Sequence, residues 1–468
     1  MKTLRYMRFR IVFGFITGLM ATFSLQRAVV YLTVDVDYET VHVETIPEEK
    51  AIRRTRQLLN TSNNTYVSDS KNPLLRVSKS DRPRNDYNVV LVMLESLGWP
   101  YIKQMGGKKD LTPHLNQLVE DGILVRNCFA VGTRTTRGVS GVISGFPDLP
   151  GESITTRESS VGNMLTIGEV LRRRGYETMF IYGGQPYYDH RQSYLGGNGY
   201  TDFVFSDEFP RKTFEMDLGW SDEDLYYAAH HTFKKREEPF FATLLTLSFH
   251  EPFDIPDGRI ESKYPGHPRE KSLKAIQYTD WAIGKFMDRA REASYFEDTI
   301  FVFTADHNGG YLEESPKPTS HRIPFLIYAP EIIGTRGKQV TRISSQMDIA
   351  PTILDLLGGT YRHSFFGSSV LSGSEDRGMA LMQSGNEVLT LINNDRYMVR
   401  IPPHGGEVRL LRFKSPDHMR EPAGDPDRLR KLRQRMKTDA LSIIHTASHV
   451  FNNEIYQLGE EDPDLSKK

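Results

Sequence analysis

Continuous apolar runs alternate with helical patterns along most of this 468-residue chain, and this alternation constrains its fold more than any other feature. The run at 89–94 is apolar throughout and has polar neighbours, as expected for a strand buried on both faces. Other such runs cover residues 123–128, 178–182, 240–247, 299–304 and 324–328. Helical periodicity covers residues 112–121, 161–174, 222–235, 272–290 and 347–357. This order predicts an α/β fold with a mostly parallel central sheet flanked by helices.

The pattern changes after residue 367, which indicates a second structural region. Residues 387–393, 397–401 and 407–413 predict short antiparallel strands, and residues 428–449 predict a helix. We therefore expect an α/β domain over residues 87–367 and a small C-terminal α+β subdomain over residues 368–468. Residues 35–86 are polar and mostly aperiodic, so we interpret them as a linker with a short helix at 51–59.

The first 34 residues carry a membrane-type pattern. Basic residues precede an apolar run at 11–25, and a second apolar run at 28–34 follows Arg27. The first run is shorter than the ~20 residues that a membrane span needs. Tilt of the helix, or snorkelling of Arg27 to the interface, would extend the apolar segment beyond that run. The basic flank predicts a cytoplasmic N-terminus with the rest translocated. We predict an anchor or signal-anchor at residues 1–34; a cleaved signal peptide and a buried helix are the alternatives.

Charge and cysteine content exclude several classes of protein. The 59 basic and 60 acidic side chains give a formal net charge of −1, which argues against a general nucleic-acid-binding protein. Cys128 is the single cysteine, so a disulfide framework and a cysteine-rich metal site are both excluded. The 14 histidines and the many carboxylates do not exclude a metal site with oxygen and imidazole ligands.

Two strands of the expected sheet end in residues suited to metal binding. Glu95 comes directly after the run at 89–94, and Asp306 and His307 follow the run at 299–304. Ligands bind beyond the carboxyl ends of strands in open α/β sheets, so these side chains predict a divalent-metal site. The alternative is that Asp306 caps a helix and that Glu95 lies on the surface.

A hydroxyl-rich loop lies between these two motifs. It reads Gly-Thr-Arg-Thr-Thr-Arg-Gly at 132–138, and we expect it to lead into a helix. A helix N-terminus attracts anions, and a hydroxyl activated there by a metal is a nucleophile for phosphoryl or sulfuryl transfer. The alternative is a threonine cap with solvated arginines.

Seven motifs follow one another along residues 88–367. They are the run at 89–94 with Glu95-Ser96, the loop at 132–138, Ser-Phe-His-Glu-Pro-Phe at 248–253, Tyr-Thr-Asp at 278–280, Thr-Ala-Asp-His at 304–307, Ile-Pro-Phe-Leu-Ile-Tyr-Ala-Pro at 323–330 and Met-Asp-Ile-Ala-Pro-Thr-Ile-Leu at 347–354. Each motif is weak alone, but their order and spacing are specific. Together they resemble the lipoteichoic acid synthase-type branch of the alkaline phosphatase/sulfatase superfamily.

The resemblance implies an alkaline phosphatase/sulfatase-like catalytic domain and an extracytoplasmic, metal-dependent phosphoglycerol transferase. Its donor would be a phospholipid or another lipid-linked compound in the membrane, and its acceptor a glycan or polyol phosphate. The transferred group would pass through a covalent phospho-threonine. A hydrolase with the same metal and nucleophile is an alternative, and a catalytically silent envelope-binding protein is another.

The resemblance also implies roles for individual residues. The metal, usually manganese in that branch, would be bound by Glu95, Thr135, Asp306 and His307. Thr135 would also be the nucleophile, with Thr133 and Thr136 as rivals.

Two further residues match substrate-binding positions of that branch, and other positions depart from its pattern. His250 and Arg191 would contact the substrate, with Arg191 on the phosphate; a surface arginine is the alternative. Tyr182 and Asp189 stand where these synthases tend to have a histidine and a tryptophan, so the head group can differ. Asn308 follows the Asp-His pair where a glycine is common.

Three other features have structural interpretations. The segment after Cys128 lacks the Cys-x-Pro-x-Arg pattern of sulfatases that form formylglycine, so that chemistry is disfavoured and Cys128 is expected in the core. We expect a structural role for His321, because the start of a strand faces away from the pocket. The basic run at 428–437 is interpreted as a solvated helix face rather than a lipid-binding one.

Overall fold

The computed structural model describes residues 46–68, 70–237, 239–310, 318–334, 337–372, 378–384, 388–402, 406–415 and 418–459. The anchor predicted at residues 1–34 lies outside these residues. No helix in the described segments combines the length and the apolar character that a membrane crossing requires.

The strands of the described residues are two to eight residues long. They are β1 (Asn64–Tyr66), β2 (Arg76–Lys79), β3 (Asn88–Leu94), β4 (Ile123–Phe129), β5 (Glu177–Tyr182), β6 (Asp202–Val204), β7 (Glu215–Met216), β8 (Gly219–Trp220), β9 (Phe240–Leu245), β10 (Thr299–Ala305), β11 (Arg322–Ile323), β12 (Phe325–Tyr328), β13 (Lys338–Ser345), β14 (Thr360–His363), β15 (Met379–Ser384), β16 (Val388–Asn393), β17 (Tyr397–Ile401), β18 (Arg409–Ser415) and β19 (His418–Arg420).

The α-helices lie mostly between strands of the main sheet. They are α1 (Glu48–Leu59), α2 (Pro113–Asp121), α3 (Thr135–Ile143), α4 (Ile167–Arg172), α5 (Arg191–Gly197), α6 (Asp222–Phe233), α7 (Glu270–Arg291), α8 (Pro330–Ile333), α9 (Ile349–Leu357) and α10 (Pro426–Asn452).

The main sheet has the order β11-β4-β12-β10-β3-β9-β5-β6, and β13 pairs with β4. The pairs β10–β3, β3–β9, β9–β5, β5–β6 and β4–β13 are parallel, whereas β12 runs antiparallel to both β10 and β4. Strands β9 and β10 are buried along their whole length, because helices cover both faces of a parallel sheet. The predicted mostly parallel α/β sheet is confirmed.

One predicted helix is too long. The pattern at 161–174 predicts a single helix, but α4 covers only Ile167–Arg172. The side chain of Thr166 accepts a hydrogen bond from the backbone N–H of Glu169, so Thr166 is the N-cap. A capping hydroxyl satisfies a free N–H at a helix start and fixes the boundary there.

Several elements lie within the stretch that we interpreted as a linker. Helix α1 packs against α10, and β1 and β2 form a three-stranded sheet with β14. The buried guanidinium of Arg76 donates hydrogen bonds to the carbonyls of Phe365 and Gly367. The described part of residues 35–86 is therefore packed on later parts of the chain, while the domain boundaries themselves stay predictions.

The C-terminal region is a separate antiparallel sheet with one long helix. Strands β15 to β19 pair in sequence order, and α10 packs against β16, β17 and β18. The second half of α10 buries Ala440, Ile443 and Val450, whereas the basic side chains near its start are exposed. This arrangement confirms the small α+β subdomain and agrees with a solvated basic face.

Candidate active site

The carboxyl ends of four parallel strands bring the predicted site residues to one edge of the main sheet. Leu94 of β3 pairs with Ala305 of β10, so Glu95 and Asp306 leave the sheet side by side. Strand β9 lies on the other side of β3, and its following residue Thr246 accepts a hydrogen bond from the backbone N–H of Glu95. Strand β5 lies next to β9 and leads to Arg191.

Glu95, Asp306 and His307 form a tight cluster at this edge. One potential ligand atom from each residue lies within 4.8 Å of the other two. Nε2 of His307 is 3.7 Å from Oε1 of Glu95 and 3.7 Å from Oδ2 of Asp306. Both carboxylates are buried, and Oδ2 of Asp306 has no hydrogen-bond partner. Spacings near 4 Å between donor atoms leave room for an ion that contacts all three.

The electrostatics of the cluster favour a cation. Burial raises the pKa of Glu95 well above its usual value, and the neighbouring Asp306 carboxylate raises it further. Two buried carboxylates this close repel each other unless a positive charge lies between them. Two carboxylate oxygens, one imidazole nitrogen and a nearby hydroxyl match the donor atoms that divalent metals take in proteins. The residues present therefore fit a divalent metal ion.

The hydroxyl of Thr135 reaches this cluster. It is the first residue of α3, and its Oγ1 donates a hydrogen bond of 3.3 Å to Oε2 of Glu95. The backbone carbonyl of the neighbouring Thr136 accepts a hydrogen bond from the hydroxyl of Thr155. The N-terminus of α3 also presents free backbone N–H groups and a positive dipole end beside the cluster.

Gly138 allows α3 to approach the cluster of Glu95, Asp306 and His307. A Cβ atom built at Gly138 would lie 2.0 Å from the carbonyl oxygen of Asp306, which no side chain tolerates. Gly138 is the last residue of the motif at 132–138, and its role in this approach was not predicted. The signal was a glycine inside a predicted helix, which often marks a close backbone approach.

Gln346 joins the strands that carry the cluster and the loop, and the sequence analysis missed it. Its Nε2 donates hydrogen bonds to the carbonyls of Ala305 and Asp306, at 2.9 and 2.7 Å. Its Oε1 accepts a hydrogen bond from the backbone N–H of Val131. The amide therefore ties the end of β10 to the loop that leads into α3.

Ser96 closes the turn after Glu95 in a left-handed backbone conformation, with φ of 56°. Its N–H donates to Oδ1 of Asp306 at 2.8 Å, and its hydroxyl donates to Oε1 of Glu95 at 2.7 Å. These bonds orient both carboxylates and offset the strain of a positive φ at a residue other than glycine.

Arg191 is a buried cation close to the cluster. Burial and Asp306 raise the pKa of Glu95, and the charge of Arg191 opposes this rise only in part. Nη2 donates to Oδ2 of Asp189 at 2.7 Å, whereas the buried Nε and Nη1 atoms have no hydrogen-bond partner. The guanidinium carbon lies 4.5 Å from the ring centre of Tyr182 and 5.1 Å from that of Tyr188. The alternative of a surface arginine is therefore wrong.

His250 follows β9 at the same edge of the sheet. It is half-buried, and its Nδ1 lies 2.6 Å from the carbonyl oxygen of Glu251. This contact fixes the ring through one nitrogen and leaves Nε2 for another partner. Its substrate contact remains a prediction.

Residues 87–359 match the family model described as Sulfatase, and this match covers more than half of the chain. The chain belongs to the sulfatase family. Lipoteichoic acid synthase 2 of Bacillus subtilis (strain 168) is 24% identical over 328 residues, which cover 62% of this chain and 49% of that protein. Phosphoglycerol transferase I of Xanthomonas campestris pv. campestris is 26% identical over 304 residues, covering 61% and 43%. These matches confirm the resemblance to the lipoteichoic acid synthase-type branch.

The fold agrees with that family. A solved structure from Vibrio parahaemolyticus, described as a protein in the alkaline phosphatase superfamily, aligns with a TM-score of 0.79 and 27% identity. The alignment covers 88% of this chain and 98% of that one. The chain spans only about half the length of the first lipoteichoic acid synthase relatives, with 52%, 49% and 48% of their residues aligned.

Two other predicted motifs of this sulfatase-family chain are structural. Asp280 accepts hydrogen bonds from the backbone N–H groups of His114 and Leu115, so it caps the start of α2. The buried His321 contacts the carbonyl of Ala130 through Nδ1 and the hydroxyl of Ser384 through Nε2. A structural role for His321 agrees with the prediction.

Proposed function

We propose that this chain is a metal-dependent phosphotransferase that moves a phosphoglycerol-type phospho group from a lipid donor to an acceptor hydroxyl. One observation carries the proposal: the Thr135 hydroxyl donates to Glu95 within the cluster of Glu95, Asp306 and His307. The similarity to lipoteichoic acid synthases and phosphoglycerol transferases supports the same chemistry. Because the chain matches only part of those proteins, the donor and the acceptor are proposals as well.

Glu95, Asp306, His307 and Thr135 would hold the metal, for which we propose manganese. When bound, a divalent cation lowers the pKa of a coordinated hydroxyl and neutralises charge on phosphoryl oxygens.

The first step uses Thr135 as the nucleophile. Its Oγ1 attacks the phosphorus of the donor, a P–Oγ1 bond forms, and the P–O bond to diacylglycerol breaks. Thr135 loses the proton that it donates to Oε2 of Glu95 in the structure, and the leaving diacylglycerol oxygen takes up this proton. The product is a phospho-threonine at the start of α3.

The second step passes the group to the acceptor. The acceptor hydroxyl attacks the same phosphorus, the P–Oγ1 bond breaks, and Thr135 regains its proton from that hydroxyl. Arg191 would bind the phosphate through its unpartnered Nε and Nη1 atoms, and His250 would orient the group. Fixed positioning of the reacting groups supplies a large part of such catalysis.

The proposed setting is a membrane surface outside the cytoplasm, where a phospholipid donor and a glycan or polyol-phosphate acceptor meet. The basic N-terminal pattern and the apolar run at 11–25 support this location. If water replaces the acceptor hydroxyl, the same residues perform hydrolysis, so product analysis separates transferase from hydrolase.

The test is mass spectrometry of the full chain after incubation with manganese and a phosphatidylglycerol vesicle. We expect an added phosphoglycerol mass on the peptide with Thr135, and transfer of that mass to an added glycerol-bearing acceptor. Thr135→Ala should lower turnover by about 10⁴-fold or more, as when a covalent nucleophile is removed. Thr136→Ala is the matched control. If Thr135→Ala stays active and Thr136→Ala does not, the nucleophile is assigned wrongly.

A further inference from the structure

Asn308 directly follows His307 and bonds to the backbone on both sides of its amide. The residue is 6% exposed, so the amide lies inside the protein. Its Oδ1 accepts a hydrogen bond from the backbone N–H of Gly310 at 3.0 Å, and its Nδ2 donates to the carbonyl of Thr319 at 3.1 Å. A buried amide with both ends bonded holds its segment in one conformation. The turn after His307 is therefore fixed by the side chain of Asn308.

Gly98 leaves the space that the amide of Asn308 fills. A Cβ atom built at Gly98 would lie 2.1 Å from Oδ1, 2.3 Å from Cγ and 2.7 Å from Nδ2 of Asn308, and these are the three nearest atoms. The backbone of Gly98 has φ of −87°, which any residue adopts, so the contact with the amide is what requires a glycine here. Asn308 thus packs against the turn that follows Glu95.

Backbone hydrogen bonds connect the same two turns, one after β3 and one after β10. The N–H of Gly309 donates to the carbonyl of Ser96 at 3.0 Å, and the N–H of Ser96 donates to Oδ1 of Asp306 at 2.8 Å. Asn308 packs against the first turn and bonds within the second. It therefore lies between the two segments that carry the three residues of the cluster.

The position of this turn matters for His307, because its ring lacks the usual second contact. Nε2 lies 3.7 Å from Oε1 of Glu95 and from Oδ2 of Asp306. Nδ1 is buried and has no hydrogen-bond partner among the described residues. Histidines that bind a metal almost always donate their other ring N–H to a partner that sets the orientation of the ring. Without that partner, the backbone around His307 has to place Nε2.

We propose that Asn308 is a positioning residue for the metal site, which holds the turn so that Nε2 of His307 reaches the cation together with Glu95 and Asp306. This inference rests on the metal site of the function proposed above. Both polar atoms of the amide already bond to the backbone, so Asn308 acts through His307 and is not itself a ligand.

Calorimetric titration of the full chain with Mn²⁺ tests this role without any turnover. Asn308→Gly removes the amide and should weaken the affinity for Mn²⁺ about tenfold, the low end of the loss when groups that orient metal ligands are removed. Gly98→Ala should weaken it to a similar extent, because the new Cβ displaces the amide. In the Asn308→Gly chain, Gly98→Ala should cause no further loss, since the atoms that it would overlap are gone.

The control is Asn72→Gly, at another buried asparagine, whose Nδ2 donates to the carbonyl of Gln457. It should make the chain unfold at a lower urea concentration and leave the affinity for Mn²⁺ unchanged, so it separates lost stability from lost positioning. Electron spin echo of the bound Mn²⁺ adds a direct readout, because it detects a coordinated imidazole nitrogen. The nitrogen signal should be present in the native chain and in Asn72→Gly, and weaker in Asn308→Gly.

The possible results separate this inference from the proposed function. If Asn308→Gly and Gly98→Ala bind Mn²⁺ as tightly as the native chain does, the inference is overturned and the transferase stands. Equal losses from Gly98→Ala with and without Asn308 also overturn it, since the two residues then act independently. A native chain that binds no Mn²⁺ overturns the metal site and this inference together. Binding of Mn²⁺ that depends on Asn308, with no adduct on Thr135 from phosphatidylglycerol vesicles, keeps the inference and removes the transferase.

Discussion

At the scale of single residues, the buried carboxylates of Glu95 and Asp306 are the groups that favour a cation at the proposed site. Their side chains lie at adjacent strand ends, and Ser96 orients both of them. Burial raises the pKa of Glu95, since its charged form is costly without a positive partner. The same repulsion that destabilises the metal-free site becomes attraction when a divalent ion is bound.

Manganese should therefore stabilise the folded chain. At about 100 times the dissociation constant, the free energy of unfolding should rise by about 2.7 kcal/mol, because the ion binds only the folded state. Glu95→Gln should abolish this gain and make the metal-free protein more stable, since it removes one of two repelling charges. Thermal unfolding with and without Mn²⁺ measures both effects. Glu120→Gln, at an exposed site on α2, is the control. If manganese stabilises Glu95→Gln as much as it stabilises the native chain, Glu95 is not a metal ligand.

At the scale of elements, the position of α3 decides which hydroxyl reaches the cluster of Glu95, Asp306 and His307. Gly138 lets the helix touch the backbone of Asp306, and Gln346 ties the end of β10 to the loop before α3. The absence of a side chain at Gly138 and the buried amide of Gln346 thus fix the distance between α3 and the end of β10. The helix start then places Thr135 on the side that faces Glu95.

Gly138→Ala should push α3 away from the cluster. The added Cβ would overlap the backbone of Asp306, so we expect a loss of about 1–3 kcal/mol in the free energy of unfolding. Turnover should fall by more than the stability loss explains, because Thr135 moves with the helix. Gly196→Ala is the control, since its Cβ would meet only the ring of Phe203 at an ordinary 3.5 Å. Urea unfolding and activity are measured on both variants. Full activity in Gly138→Ala would show that this close approach is not needed.

At the scale of the whole molecule, the C-terminal sheet is joined to the main sheet close to the site. The backbone N–H of Gln383 in β15 donates to the carbonyl of Val131, and His321 bridges Ala130 and Ser384. Burial lowers the pKa of His321 to about 4, so this bridge uses a neutral imidazole. The junction thus depends on a group that gains charge in acid.

Acid should weaken this junction. Between about pH 6.5 and 4 the unfolded chain binds a proton at His321 and the folded chain does not, so its contribution to stability is present above pH 6.5 and is lost as pH falls. The loss should reach about 3 kcal/mol. Urea unfolding from pH 7.5 to 4.5 should give a flatter profile for His321→Gln than for the native chain. His231→Gln, at an exposed site on α6, should keep the native profile. Parallel profiles for the native chain and His321→Gln would refute this account.

Sequence patterns alone predict the α/β class, which the fold confirms, and a site with Glu95, Asp306 and His307, whose side chains lie together in the structure. Metal binding by these three residues stays a prediction. Apolar runs such as 89–94 identify buried strands locally, and parallel strands gather their carboxyl ends at one edge, so Glu95 and Asp306 followed from pattern alone. The sequence also predicts a nucleophile among Thr133, Thr135 and Thr136, and it leaves the choice among them open.

Contacts between distant elements became visible only in the folded chain. Successive helical residues point about 100° apart, so a loop pattern without a fixed helix start does not show which threonine faces Glu95. The close approach of Gly138 and the bonds of Gln346 join segments far apart in the chain, and no local periodicity encodes such distances. Local patterns determine elements, whereas their relative placement depends on packing of the whole core, and the orientation of the Thr135 hydroxyl depends on that placement.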